Sequence, residues 1–215
     1  MEVHFLRIDS PTDPYIKDVE RIYTASFPAE EQKPFFLLKQ QVAQGKSQLW
    51  IGIAQGKVSL MAIYSGLAHP DFYLLEYMAV LPEARNQQMG SQFLKFLFNR
   101  LRNTRQHLLF EIEHPAHGDN RLQRKKRLDF YLRNQAFLLK DVPYKLPSFG
   151  AIQPIEMLLL VGPYAGSEEL TGDLVKALIR SIYTDLYGKK DDNVDLASFI
   201  DLIPEKIQLA QTADF

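Results

Sequence analysis

Leu74-Leu75-Glu76-Tyr77-Met78-Ala79-Val80-Leu81-Pro82-Glu83-Ala84-Arg85-Asn86-Gln87-Gln88-Met89-Gly90-Ser91 reads as a buried strand, a tight polar loop and the opening of a helix. The helix starts at Gly90 and carries Leu94, Leu97, Phe98 and Leu101 at helical spacing. A loop feeding a helix N-terminus presents amides with no intrahelical acceptor, and the helix dipole adds to their attraction for an anion. The pyrophosphate of a coenzyme is the ligand expected there.

Downstream, His107 to Glu113 forms the next strand, with Leu108, Phe110 and Ile112 on one side and Leu109, Glu111 and Glu113 on the other. Strand, helix, strand at this length implies a right-handed parallel crossover, whose ligands sit beyond the carboxyl ends of the strands. A basic helix over 120–135 ends in Phe130-Tyr131-Leu132, and strands follow at Phe137 to Val142 and Ile155 to Val161.

Upstream, Val3 to Ile8 is a short strand. Asp13-Pro14 offers an N-cap and a first-turn proline for a helix carrying Tyr15, Val19, Ile22, Tyr23 and Phe27. A second helix runs from Pro34 to Gln44 and stops at Gly45. Leu49 to Ala54 and Val58 to Ser65 flank Gln55-Gly56 as a hairpin. At the other end, Leu170, Leu174, Leu178, Ile182 and Leu186 predict one long amphipathic helix from Glu168 to about Tyr187. A short helix over Val194 to Ile203 follows. This extension is expected to pack on the sheet or a partner, and nothing in it reads as catalytic.

Composition bounds the class. The chain has 215 residues, 46% hydrophobic and 24% charged, with a formal net charge of −1. One domain plus an extension is the default, and no global field calls for nucleic acid or a membrane surface. No apolar run is long enough to span a bilayer, and Met1-Glu2-Val3-His4 lacks a signal-peptide layout, so the expected location is cytoplasmic. With no cysteine, thiolate metal sites and a thiol-linked acyl-enzyme are ruled out.

The loop resembles motif A of the GNAT acetyltransferase superfamily, Gln/Arg-x-x-Gly-x-Gly/Ala after a strand. Arg85 fills the first position, Gly90 the last, and Gln88 stands where the family usually has glycine. Ser26-Phe27-Pro28-Ala29-Glu30-Glu31, Glu111-Ile112-Glu113-His114-Pro115, Arg127-Leu128-Asp129-Phe130-Tyr131 and Tyr144-Lys145-Leu146-Pro147 look like stretches of a bacterial branch of that family. The family's Gly-Phe after the Phe-Tyr helix is here Ala136-Phe137. The resemblance covers about residues 3–161. It implies an α/β GNAT fold: a mixed, mostly antiparallel sheet with a splayed parallel central pair, in a domain spanning 1–163. Residues 164–215 would be a C-terminal helical extension on the same domain.

The same resemblance implies an N-acyltransferase using acetyl-CoA and an amine, either a small molecule or a peptide, with room for a homodimer and no metal. The pantetheine arm would lie between the two parallel strands. The Met78 amide would polarise the thioester carbonyl and the Val80 amide, one past Ala79, would bond the pantetheine. Arg85, Asn86, Gln87, Gln88, Met89, Gly90 and Ser91 would hold the pyrophosphate. Tyr131 occupies the place of the tyrosine that protonates the departing thiolate, although an aromatic ring closing the core is its alternative. Phe27, Glu30, Glu31 and Phe35, with Phe36 beside them, fall where the family lines its acceptor pocket, and core and capping roles explain them nearly as well.

For the base, the residues themselves point to Glu76. On a regular pleat it shares a face with Phe72, Leu74, Met78 and Val80, an apolar setting that suits a general base. A buried ion pair with a lysine or arginine is the equal alternative. Glu113 is the second candidate. The cations Arg121, Arg124, Lys125, Lys126 and Arg127 read as a solvated helix face before a nucleic-acid contact. His114, His117 and Asp119 have metal-like spacing but read first as a plain loop. The direct-transfer enzyme is weighed against an idle acyl-CoA sensor and against an interaction module using the C-terminal helices.

Overall fold

The computed structural model describes residues 2–85, 87–117, 120–148, 154–164 and 169–213. Two compact units divide the chain: Met1–Gly66 with Leu75–Leu97, and Leu67–Leu74 with Phe98–Phe215.

In the first unit, β1 (Val3–Ile8) lies antiparallel to β2 (Ser47–Ala54), pairing Val3 with Ala54 and Ile8 with Leu49. β2 turns into β3 (Lys57–Gly66) through Gln55 and Gly56, both at positive φ (50° and 73°), which matches the twist of a tight hairpin. Helix α1 (Ile16–Ser26) begins later than Asp13-Pro14 suggests. The Asp13 carboxylate accepts the Tyr15 amide at 2.9 Å in a turn ahead of the helix, so Pro14 precedes the first helical turn. Helix α2 (Phe35–Ala43) follows Pro34 and stops before Gly45, whose φ is 71°. Val19, Ile22 and Tyr23 of α1 and Leu38 and Val42 of α2 pack with Ile51, Met61 and Ile63. Tyr77 and Ala79 of β4 (Phe72–Val80) complete this core.

The second unit holds β5 (His107–Glu113), α4 (Arg121–Arg133), β6 (Phe137–Leu139), β7 (Tyr144–Leu146) and β8 (Ile155–Gly162). Phe72, Tyr73 and Leu74 at the start of β4 pair in parallel with His107, Leu108 and Leu109. β5 and β8 run antiparallel from Leu108↔Gly162 to Glu113↔Met157. The strand expected over 137–142 stops at Leu139, because the chain turns through Asp141 at φ 58°. Tyr144 to Leu146, which lies between the two expected strands, itself pairs with β8.

The C-terminal segment departs most from expectation. The long helix resolves into β9 (Glu169–Thr171), α5 (Gly172–Ser181) and a π-turn over Ile182–Leu186. Leu170 therefore belongs to a strand. Thr171 caps α5 by accepting the Leu174 amide, and the Gly172 amide donates to Glu205 O at 2.7 Å. A Cβ on Gly172 would stand 2.1 Å from Pro204 O, so the approach requires glycine. The expected helix over 194–203 is α6 (Val194–Ala197) plus a 3-10 turn at Ile200–Leu202. Beyond it, β10 (Lys206–Ala210), unforeseen, inserts between β6 and β9. Val161, Leu178, Ile179, Tyr183, Phe199 and Ile207 share the core of this unit.

The strands join in the order β1-β2-β3-β4-β5-β8-β6-β10-β9, with β7 beside β8. Among the described pairings only β4 with β5 is parallel.

Candidate functional site

After β4, a 3-10 turn at Pro82–Ala84 leads to α3 (Met89–Asn103). Arg85 folds back, its Nε donating to Val80 O at 3.2 Å. Gln87 Nε2 donates to Glu83 O at 3.1 Å, stiffening the loop from within. Gln88 has φ 57°, the left-handed conformation that glycine adopts without steric cost. The Gln92 amide takes Gln88 O at 2.9 Å as the first bond of the new helix. The amides of Met89, Gly90 and Ser91 thus belong to the first turn, where helix geometry offers no acceptor. Asn86 lies outside the described residues.

Ala79 is buried in the first unit's core, while Met78 and Val80 are half-buried. The parallel ladder of β4 covers only Phe72–Leu74 and does not reach Met78 or Val80.

Glu76 is held from two sides. Ser65 Oγ donates to Oε1, and Lys33 Nζ makes an ion pair with Oε2. Ser65 in turn meets Ser47 Oγ at 2.6 Å, both serines being buried. The Glu76 side chain is 5% exposed and that of Lys33 22%. This is the ion-pair alternative, and it corrects the apolar setting expected from a regular pleat. Tyr77, one residue on, also reaches the Lys33 segment: its hydroxyl donates to Glu31 O at 2.9 Å and accepts the Lys33 amide at 3.4 Å. Neighbours on a strand ordinarily face opposite ways. The two-face assignment fails at this pair.

Around the segment stand the proposed acceptor residues. The Phe27 ring lies 5.0 Å from Tyr77, and Phe35 5.8 Å from Tyr23. Tyr23 donates to Lys33 O at 3.1 Å. Burial raises the pKa of both tyrosines, and the nearby Glu76 charge adds to the rise. Phe27 and Phe35 are partly buried against the core, Glu31 and Phe36 are exposed, and the Glu30 side chain lies outside the described set.

In the second unit, Tyr131 ends α4 with its ring 4.7 Å from Phe110 and 5.1 Å from Phe130. It is 8% exposed, and its hydroxyl makes no hydrogen bond to a described residue. Burial pushes its pKa up to about 12, against the opposing pull of Arg127, so the phenol stays protonated at neutral pH. Glu113 pairs with Arg124 at 3.0 Å and Arg127 at 3.5 Å, which absorbs part of the basic run.

A third carboxylate was legible only as a companion of Glu113. Glu111 accepts Tyr144 OH on Oε1 and Tyr187 OH on Oε2, the latter at 2.6 Å. Tyr183 OH donates to Lys145 O at 2.6 Å. Asp195 Oδ2 accepts both the amide and the hydroxyl of Ser148, at 3.0 and 2.8 Å. Those bonds, with Lys189 and Lys145 nearby, hold the Asp195 pKa below its ordinary value. The C-terminal segment thus supplies polar groups to β5 and β7, and no local signal in the sequence marks them.

His117 pairs with Glu156 at 2.9 Å, and the His114 ring lies 4.6 Å from His117. Burial, then the neighbouring His117, lowers the His114 pKa. Asp119 lies outside the described residues, among which no group of three metal-ligating side chains occurs. No described helix is long and apolar enough to cross a membrane.

No protein-family model matches the sequence, and no curated protein matches it. Solved structures do. A GNAT-family protein from Bacteroides thetaiotaomicron superposes with TM-score 0.71 at 23% identity, over 87% of this chain and 99% of its own. A GNAT-family protein from Desulfovibrio desulfuricans gives 0.55 at 20%, over 76% and 100%. The ribosomal-protein-S18-alanine N-acetyltransferase from Escherichia coli gives 0.52 at 15%, over 77% and 97%. The chain has the fold of the GNAT acetyltransferases.

Proposed function

We propose that this chain is a GNAT-family N-acyltransferase that moves an acetyl group from acetyl-CoA to a primary amine by direct transfer. What supports this most is the β4–turn–α3 junction: a left-handed Gln88 followed by first-turn amides, on a fold shared with acetyltransferases.

In this reading the amides of Gln88 through Ser91 hold the pyrophosphate, with Arg85 beside them. The Met78 amide polarises the thioester carbonyl, and the Val80 amide bonds the pantetheine. An oxyanion donor of this kind contributes on the order of a hundredfold in rate. Tyr131, protonated at working pH, donates to the departing sulfur. The acceptor must attack as the neutral amine. Glu76 is the first group to take its proton and Glu113 the second, while Phe27, Glu30, Glu31 and Phe35 border the acceptor. Residues 1–163 carry this chemistry, 164–215 form the extension, and the protein works in the cytoplasm, alone or as a homodimer, without a metal.

One observation favours a second reading, a coenzyme-binding protein without turnover. Both candidate bases carry cationic partners, Lys33 on Glu76 and the arginines on Glu113. A melting-temperature series with acetyl-CoA, then thiol release over a panel of amines, separates the two. Coenzyme at a hundred times Kd stabilises by about 2.7 kcal/mol. Stabilisation with thiol release supports the enzyme, stabilisation alone the binder, and neither overturns both.

A further inference from the structure

Lys33 is the primary amine that the first unit places directly on Glu76. Its main chain is fixed from both sides, since Tyr23 OH donates to its carbonyl and its amide donates to Tyr77 OH. Pro34 follows and restricts its backbone to extended conformations. The side chain, held on Glu76, is 22% exposed against 5% for its partner. An ion pair of this burial gives little net stability over apolar packing. A purely structural cation here would be served at least as well by arginine, whose fork satisfies both carboxylate oxygens. Here Ser65 takes one oxygen and an amine capable of nucleophilic attack takes the other. Met78, whose amide polarises the thioester in the reading above, lies two residues beyond Glu76 on β4, a main-chain rise of about 7 Å.

We infer that Lys33 is itself an acyl acceptor, so that the protein acetylates its own side chain when acetyl-CoA is bound without another amine. This rests on the acetyl-CoA reading. The Lys33 ammonium passes a proton to the Glu76 carboxylate, and the neutral Nζ attacks the thioester carbonyl carbon. A C–N bond forms and the C–S bond breaks; the second Nζ proton passes to sulfur, so that coenzyme A leaves as the thiol, and Glu76 returns the first proton to solvent. One lysine ammonium and one acetyl-CoA give one acetyl-lysine, one free coenzyme A and one proton. The product amide carries no charge. The ion pair is lost, and Glu76 keeps only its Ser65 donor.

The test incubates the full chain with acetyl-CoA alone and follows acetylated peptides by mass spectrometry. Lys33 should be modified at least about tenfold faster than the exposed Lys126, because a held amine reacts as an intramolecular group. The fractional rate should not change on diluting the protein. Glu76→Gln should slow Lys33 by about tenfold or more and leave Lys126 alone. Modification of Lys33 no faster than Lys126, a rate proportional to protein concentration, or indifference to Glu76→Gln in a folded variant overturns the inference. If that variant does not fold, the wild-type rate comparison and the dilution series decide. Thiol release with added amines, together with an unmodified Lys33 after incubation with acetyl-CoA alone, sinks this inference alone. Absence of any coenzyme-induced shift in melting temperature sinks the acetyl-CoA reading and takes this inference with it.

Discussion

Tyr187 OH donates a 2.6 Å hydrogen bond to Oε2 of Glu111, tying the end of the π-turn after α5 to β5 across 76 positions of sequence. Tyr144 occupies the other oxygen. A carboxylate with both oxygens engaged by phenols loses a charge-assisted bond if either is removed. Tyr187→Phe is expected to lower unfolding stability by about 1–2 kcal/mol in urea titrations. An unchanged midpoint would mean that the bond adds nothing net.

Gly172 sits where the β9–α5 junction meets the Pro204–Glu205 backbone, and an added Cβ would fall on Pro204 O. Main chain cannot give way as a flexible side chain can. Gly172→Ala should therefore cost about 2 kcal/mol or more, with β10 losing amide-exchange protection ahead of the rest. Equal protection in both proteins would refute the contact.

Gln88 carries a left-handed backbone without being glycine. Gln88→Gly is expected to fold within about 1 kcal/mol of the parent and to keep coenzyme affinity. Gln88→Val, β-branched, should lose about 1–2 kcal/mol and weaken the coenzyme. Calorimetry of all three with coenzyme A checks the order.

Tyr131→Phe should reduce kcat by roughly a hundredfold while coenzyme affinity stays within about twofold, if the phenol protonates the leaving sulfur. It should also change the alkaline limb of stability. The folded pKa of about 12 lies above the unfolded value of 10.0, so the wild type keeps this contribution below pH 10 and loses it as pH rises toward 12. At pH 11 the phenylalanine variant should have gained about 1.4 kcal/mol relative to its deficit at pH 9. Urea titrations at the two pH values read this directly, and a constant difference would place Tyr131 in contact with solvent.

The strand–loop–helix through Gly90 was readable because its signals are local: an apolar run, a polar turn, then helical spacing. The hairpin at Gln55-Gly56 was readable for the same reason. The pairing partners of Glu76 were not, since Lys33 and Ser65 lie 43 and 11 residues away and pattern alone cannot say which cation arrives. The C-terminal leucines misled because a spacing of four also fits Leu170 in a strand ahead of a helix at Gly172. Thr171 was the better signal, a capping residue one position before the glycine. Lys206 to Ala210 alternates in the manner of a strand, but it follows a helical stretch, and only β6 and β9 give it a place.

That placement has a bearing on synthesis. β9 leaves the ribosome before the strand that joins it to the sheet, and among the described pairings its ladder is to β10 alone. A nascent chain halted short of residue 206 therefore holds β6 with its outer margin bare, a row of main-chain groups open to any passing polypeptide. Arrival of five residues, Lys206 to Ala210, closes that margin from within.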